Sequence, residues 1–165
     1  MNLFLLRHGI AVELEVAGLA TDAARPLTPK GRRQLRHTIN AWQAMALRCD
    51  VILSSPLVRA RQTAEMAAKE LEAPLTFAEE LKPGGNVEKL VQKITGLKSS
   101  PKNVLLVGHE PDLSQLLSLL VAGQAVGGFA LKKGGLARLK TEQLTVGKCA
   151  TLAWLLTPAQ MKLMA

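Results

Sequence analysis

The chain has 165 residues, of which 48% are hydrophobic and 21% charged, a composition that excludes a disordered chain and fits one domain with a sizeable core. Its net charge of +8 favours anionic partners. Because aromatic residues make up only 3%, tyrosine is absent and the cations are scattered, we expect neither a base-stacking surface nor a nucleic-acid partner.

Targeting and cysteine patterns place further bounds on the chain. The apolar run at the N-terminus is interrupted by Arg7 and His8, so it does not form a signal peptide, and no segment is long enough to span a membrane. Cys49 and Cys149 lack metal-ligand spacing and are expected to be buried free thiols. These patterns predict a single cytoplasmic domain over residues 1–165, with no membrane partner.

The first predicted strand leads directly into polar residues suited to chemistry. The run 3–6 is apolar without alternation, which is typical of a strand buried on both faces of a parallel sheet. Arg7, His8 and Gly9 follow at its carboxyl end, where open α/β sheets bind ligands. An imidazole can act as a nucleophile, and a guanidinium fits phosphate. The alternative is that both side chains are simply polar residues at a strand end.

The next segment predicts a loop and then a helix. Ala11 to Arg25 has no clear periodicity, whereas Thr28 can cap a helix that begins at Pro29. Apolar residues then recur at helical spacing at Leu35, Ile39, Trp42 and Met45. His37 lies off that stripe and is expected in solvent. The same holds for the basic face formed by Arg32, Arg33 and Arg36.

The middle of the chain alternates between short strands and helices. Strands are predicted from Asp50 to Ser54 and from Pro74 to Phe77, with a helix from Leu57 to Leu71 between them. That helix has a face of alanines that permits close packing on a sheet. A loop at 82–86 and a helix from Val87 to Ile94, closed by Gly96, follow.

The second half contains the clearest strand, Asn103–Gly108, followed by a helix with a leucine stripe. Asp112 and Gln115 resemble a capping box for that helix. Two more strands are predicted near 136–139 and 150–155, and the tail beyond Pro158 is either a helical turn or frayed. This alternation of strands and helices predicts an α/β layered sheet.

Three predicted strands end in residues suited to one chemistry, and parallel strands end at a common edge. These ends are Arg7-His8-Gly9, then Ser54-Ser55-Pro56 with Arg59 and Arg61 in the next helix, and His109-Glu110-Pro111. Imidazoles and guanidiniums together suit phosphoryl transfer. Each residue also has a plainer interpretation, since His109 could position its loop, Arg59 could pair with Glu65 or Glu70, and Arg61 fits a surface residue. A metal site is disfavoured, because the spacings typical of metal ligands do not occur.

The ordered set of these motifs resembles the histidine phosphatase (phosphoglycerate mutase-like) superfamily, and in particular the small SixA-type phosphohistidine phosphatases. The matching elements are 6–9, 25–28, Gly31, 54–56, Arg59-Ala60, Gln62-Thr63 and 107–111. The resemblance implies a three-layer α/β/α sandwich with a mostly parallel central sheet. It also implies a metal-independent phosphatase without a cofactor. In it His8 is the transiently phosphorylated nucleophile, Arg7 and Arg59 bind the phosphoryl group, His109 contacts a phosphoryl oxygen, and Gly9 lies at the substrate.

The general acid of larger relatives has no clear counterpart in this chain. Glu79 and Glu80 lie in that part of the sequence, but the loop 82–86 looks like the SixA-type loop, which lacks an obvious acid. An alkoxide leaving group needs a proton, whereas imidazole, with a reference pKa of about 6.5, leaves with less help. The resemblance therefore favours hydrolysis of the P–N bond of phosphohistidine on a phosphorelay or phosphotransfer protein.

Two other classes of function stay open from the sequence. A usable acid at Glu79 or Glu80 would favour a small-molecule phosphomonoesterase of the same fold. A phosphate-binding or nucleic-acid-binding module without turnover is the third class. Partner recognition is expected in the loops 11–25 and 123–135, and a monomer is compatible with the sequence.

Overall fold

A six-stranded sheet forms the centre of the molecule, in a computed structural model that describes residues 1–17 and 21–164. Its strands are β1 Asn2–Arg7, β2 Val51–Ser54, β3 Leu75–Phe77, β4 Asn103–Gly108, β5 Leu136–Lys140 and β6 Thr151–Leu156, in the spatial order β3-β2-β4-β1-β5-β6. The first four strands run parallel to one another, and β5 runs antiparallel to both β1 and β6. The predicted, mostly parallel sheet is confirmed.

Helices cover both faces of this sheet. They are α1 Leu14–Ala17, α2 Pro29–Ala44, α3 Val58–Leu71, α4 Val87–Thr95, α5 Asp112–Ala122 and α6 Pro158–Lys162. Buried residues of α2, α3 and α6 form one hydrophobic core, and those of α4 and α5 form the other. In β1, Leu3 and Leu5 point into the α4/α5 core, whereas Phe4 and Leu6 point into the opposite core. This explains the unbroken apolar run of β1 and confirms the three-layer α/β/α arrangement.

Helix starts were predicted with mixed success. The Thr28 hydroxyl accepts a hydrogen bond from the Gly31 N–H at 2.9 Å, and Pro29 is the first helical residue, as predicted. The capping box predicted at Asp112 is wrong. The helix α5 follows Pro111 without a side-chain cap, because the Asp112 carboxylate instead accepts the Gly84 N–H at 3.1 Å across the loop.

The segment 11–25, predicted as a loop, contains two short helical pieces. These are α1 and a 3-10 turn over Asp22–Ala24, while residues 18–20 of the predicted recognition loop lie outside the described residues. Arg25 links the two ends of the segment, because its Nε donates a hydrogen bond to the Val12 carbonyl at 2.7 Å. The tail forms the short helix α6.

The solvent exposure of individual side chains tests several smaller predictions. His37 lies in solvent, as expected. Cys49 and Cys149 are free but only partly buried, so the expectation of fully buried thiols is wrong. Burial nevertheless raises the pKa of the Cys49 thiol to about 11. None of the helices in the described part of the chain is long and apolar enough to cross a bilayer.

Candidate active site

The strand order brings three strand ends to one place. Because β4 lies between β1 and β2, the residue after β4, His109, lies between the residues after the other two, His8 and Ser55. The ring centroids of His8 and His109 are 5.1 Å apart. The Ser55 hydroxyl lies 2.8 Å from the His109 Nε2. The predicted convergence of the strand ends therefore occurs in the fold.

His8 is buried and held in one tautomer. Its Nδ1–H donates to the Gly9 carbonyl at 2.7 Å, so Nε2 carries the free electron pair and accepts the Nε–H of Arg59 at 3.2 Å. Burial lowers the pKa of His8 to about 3, since the imidazolium would lose its hydration, and the charges of Arg59 and Arg7 act in the same direction. The imidazole is thus neutral at pH 7, with the electron pair on Nε2.

His109 is buried and hydrogen-bonded through one of its two ring nitrogens. Its Nε2 lies 2.8 Å from the Ser55 hydroxyl, which also accepts the Leu57 N–H at 3.3 Å. Its Nδ1 is buried without a hydrogen-bond partner among the described residues. Burial, followed by the charge of Arg59, lowers the pKa of His109 to about 4, so this imidazole is neutral at pH 7 as well.

Arg59 reaches the two histidines from the first turn of α3. Besides its contact with His8, its Nη1 donates to the Asp22 carbonyl at 2.8 Å and its Nη2 to the Asp22 carboxylate at 2.9 Å. The pairing with Glu65 or Glu70 considered from the sequence is absent. Arg61 pairs with Glu65 instead, at 3.6 Å on the surface, as its predicted surface role requires.

Arg7 ends β1 opposite Gly108 of β4. Its Nη1 donates to the Leu131 carbonyl at 2.8 Å, whereas its Nε is buried without a partner in the described parts of the chain. Burial lowers the pKa of Arg7 from its ordinary value, against the opposing charge of Glu110, and the group stays a cation at neutral pH. A buried N–H without a partner is costly, so this donor is suited to an incoming anion.

The sequence that carries these residues matches a known protein family. Residues 3–95 match the model of the "Histidine phosphatase superfamily (branch 1)", which is more than half of the chain. The chain belongs to the histidine phosphatase superfamily. An uncharacterized protein of Picosynechococcus sp. is 36% identical over 143 residues, covering 86% of each chain.

SixA-type phosphatases match over the whole chain. The phosphohistidine phosphatase SixA of Escherichia coli K12 is 27% identical over 166 residues, covering 99% of this chain and 98% of its own. The structure of the protein histidine phosphatase SixA with tungstate superposes with a TM-score of 0.80 at 26% identity, covering 96% and 98% of the two chains. The α-ribazole phosphatase of Shigella flexneri shares the fold at 22% identity, with a TM-score of 0.72 and coverage of 96% and 97%. The SixA-type resemblance and the phosphoglycerate mutase-like fold are thereby confirmed.

Gly9 supports the histidine phosphatase site from behind. Its N–H donates to the Thr63 hydroxyl at 3.1 Å, and that hydroxyl donates to the Arg59 carbonyl at 2.8 Å. A Cβ at Gly9 would lie 2.6 Å from the Cδ1 of the buried Leu35, so even a methyl group there would force the Leu35 side chain to shift. Direct contact between Gly9 and a substrate stays a prediction.

The carboxylates near the histidines are bound to cations or to backbone. Glu79 is exposed and pairs with Lys82, and Glu80 pairs with Lys93 at 2.9 Å. Although partial burial opposes ionisation of Glu80, the hydrogen bond and charge of Lys93 outweigh it and keep its pKa below the usual range. Glu110 accepts the Leu131 N–H at 3.1 Å. The pKa of Glu80 is thus shifted away from that of a proton donor at neutral pH.

The sequence did not identify several contributors to the site. Asp22 lies in a stretch without periodicity, and Ser55 was placed at one of the converging strand ends but was given no role of its own. The Leu131 carbonyl is a backbone group, which leaves no trace in sequence. The match of Gln62-Thr63 to the family pattern was the signal available for Thr63. Over the described ranges, 1–17 and 21–164, His, Cys, Asp and Glu do not gather in groups of three or more that could hold a metal ion.

Proposed function

We propose that this protein is a phosphohistidine phosphatase that hydrolyses the P–N bond of phosphohistidine on a phosphorelay or phosphotransfer protein. The reaction would pass through a phospho-His8 intermediate and need no metal. The observation that carries the proposal is the His8 imidazole, which is neutral and buried, with the electron pair on Nε2 facing the Arg59 guanidinium. Its relationship to SixA along the whole chain supports the choice of substrate class.

In the first step, the His8 Nε2 attacks phosphorus in line. The Nε2–P bond forms as the substrate N–P bond breaks, and the electron pair of the broken bond goes to the substrate ring, which leaves as neutral imidazole because its other nitrogen carries a proton. The Nδ1–H of His8 stays on the Gly9 carbonyl, which stabilises the positive charge that the phosphorylated ring acquires. The ring needs no deprotonation before it attacks, because burial keeps Nε2 free of a proton.

Three groups are suited to hold the phosphoryl oxygens. The Arg59 Nε–H loses its acceptor once Nε2 bonds to phosphorus, so it becomes free for an equatorial oxygen. Arg7 has its buried Nε–H available, and the buried Nδ1 of His109 donates to an oxygen when it carries the ring proton. These donors are in place before the substrate arrives, as electrostatic stabilisation of a transition state requires.

The chemistry of the leaving group favours phosphohistidine over alkyl esters. Glu79, Glu80 and Asp22 are all paired with cations. The pKa values of Glu80 and Asp22 lie below their usual range, which makes these two carboxylates poor proton donors at neutral pH. An imidazole leaving group, with a reference pKa of about 6.5, departs without a strong acid, whereas an alkoxide does not.

In the second step, water hydrolyses phospho-His8. A water oxygen bonds to phosphorus, the N–P electron pair returns to Nε2, and the water proton leaves with the phosphate. His8 thus returns to the starting tautomer, with Nδ1–H still donating to the Gly9 carbonyl. The second step, like the first, calls for no proton from a carboxylic acid.

The test compares phosphate release from a phosphohistidine-bearing protein domain, a phosphoserine peptide and an aryl phosphate, in the presence of a chelator. We expect preferential turnover of the phosphohistidine domain, lost in His8→Ala and retained in His37→Ala, in which the imidazole removed is exposed. Equal or faster turnover of the esters would instead indicate a small-molecule phosphomonoesterase. Turnover undiminished in His8→Ala would exclude the mechanism. Absence of turnover together with salt-dependent binding of nucleic acid would indicate a binding module.

A further inference from the structure

Asp22 joins two arginines at the edge of the site. Its Oδ1 accepts the Arg25 Nη1 at 2.7 Å and its Oδ2 accepts the Arg59 Nη2 at 2.9 Å. Its backbone carbonyl accepts the Arg59 Nη1 at 2.8 Å. Arg25 is in turn anchored to the Val12 carbonyl at 2.7 Å. A continuous chain of hydrogen bonds therefore runs from the segment after β1, through Asp22 and Arg59, to the His8 Nε2.

The way in which Arg59 distributes its N–H donors indicates the role of this series of hydrogen bonds. A guanidinium is planar, with five N–H groups in a fixed fork. Asp22 binds both terminal nitrogens, while the Nε–H faces the His8 Nε2. Holding the terminal nitrogens fixes the plane of the group and therefore the direction of Nε–H.

We propose that Asp22 is a positioning residue, which holds the Arg59 guanidinium so that its Nε–H points to where a phosphoryl oxygen binds beside His8. This inference rests on the proposed function, in which Arg59 binds the phosphoryl group. It also accounts for the burial of Arg59, which is 5% exposed, because a buried guanidinium needs a counter-charge. Asp22 is itself half exposed, so its replacement leaves the core intact.

The opposite role would be competition, in which the Asp22 carboxylate repels phosphate from Arg59. The two roles predict changes of opposite sign in anion affinity when Asp22 is removed. If Asp22 only repels anions, its removal tightens anion binding. If it orients Arg59, removal weakens binding and slows phosphoryl transfer, since misdirected donors stabilise the transition state poorly.

The experiment measures tungstate binding by calorimetry together with kcat and KM on the phosphohistidine domain. Asp22→Ala is expected to weaken tungstate binding and lower kcat, each by about tenfold, the range for losing a charged hydrogen bond. Asp22→Asn keeps one acceptor oxygen and is expected to lose less. Glu13→Gln, which removes an exposed carboxylate from the same segment, is the matched control and is expected to behave as wild type.

A double-mutant cycle with Arg59→Met shows whether Asp22 acts through Arg59. We expect Asp22→Ala to change tungstate affinity less than twofold in the Arg59→Met background. Tighter tungstate binding in Asp22→Ala, an unchanged kcat, or an equal loss in both backgrounds would overturn the inference. Wild-type activity in Arg59→Met would instead refute the proposed function, and tungstate binding separates the two because it needs no turnover.

Discussion

Mild acid should destabilise this protein steeply because two of its histidines are buried as neutral imidazoles. In the unfolded chain both His8 and His109 take up a proton near pH 6.5, whereas burial lowers their pKa values in the folded state to about 3 and about 4. Between these limits the unfolded state binds more protons than the folded state. The free energy of unfolding therefore falls as the pH falls below about 6.5.

The size of the effect follows from proton linkage. Below pH 6 each histidine lowers the free energy of unfolding by at most about 1.4 kcal/mol for every unit by which the pH falls. From pH 7 to pH 4.5, the two pKa values give a loss of about 2.5 kcal/mol for each histidine and about 5 kcal/mol together. Because domains of this kind have about 5–15 kcal/mol of stability in total, acid at pH 4.5 should remove a large part of it.

Urea unfolding at pH 7, 6 and 5 measures this loss. Wild type should lose about 2 kcal/mol between pH 6 and pH 5 from the two histidines, and His8→Gln or His109→Gln should each lessen that loss by about 1 kcal/mol. His37→Gln, which removes the exposed imidazole, should leave the loss as in wild type. The comparison is between the changes in the free energy of unfolding with pH, so the destabilisation that each substitution causes at pH 7 does not affect it. If His8→Gln and His109→Gln kept the full wild-type loss, the lowered pKa values would be wrong.

Two further substitutions test the supports of the site. Gly9→Ala places a Cβ 2.6 Å from the Leu35 Cδ1, so we expect about 1–3 kcal/mol lower stability in urea unfolding at pH 7, and wild-type stability would contradict this packing. Ser55→Ala removes the hydroxyl that is hydrogen-bonded to the His109 Nε2, and kcat should fall about five- to tenfold while the fold persists. Ser54→Ala is its control, because the Ser54 hydroxyl donates to the Ser55 carbonyl and not to His109; equal losses in the two variants would count against a role of Ser55 in orienting His109.

Local patterns in the sequence are sufficient for most of the secondary structure and for the positions of the main site residues. The strand β1 is recognisable because both of its faces are buried, which requires an unbroken apolar run before Arg7. The start of α2 is recognisable because Thr28 bonds to an N–H only three residues away. Such features depend on neighbours in the chain, so the sequence by itself determines them.

Contacts between distant segments are decided only by the tertiary structure. Asp112 has the spacing of a capping box, yet packing of the loop 82–86 brings the Gly84 N–H to its carboxylate and the cap does not form. Arg59 has acidic neighbours on its own helix, but its partner is Asp22, 37 positions earlier. The lowered pKa values of His8 and His109 likewise depend on burial and on charges brought from other segments. The sequence by itself therefore determined the histidines and arginines of this site, whereas only the fold decided which partner and charge each of them holds and brought in Asp22, because desolvation and hydrogen-bond geometry exist only once the strand ends have met.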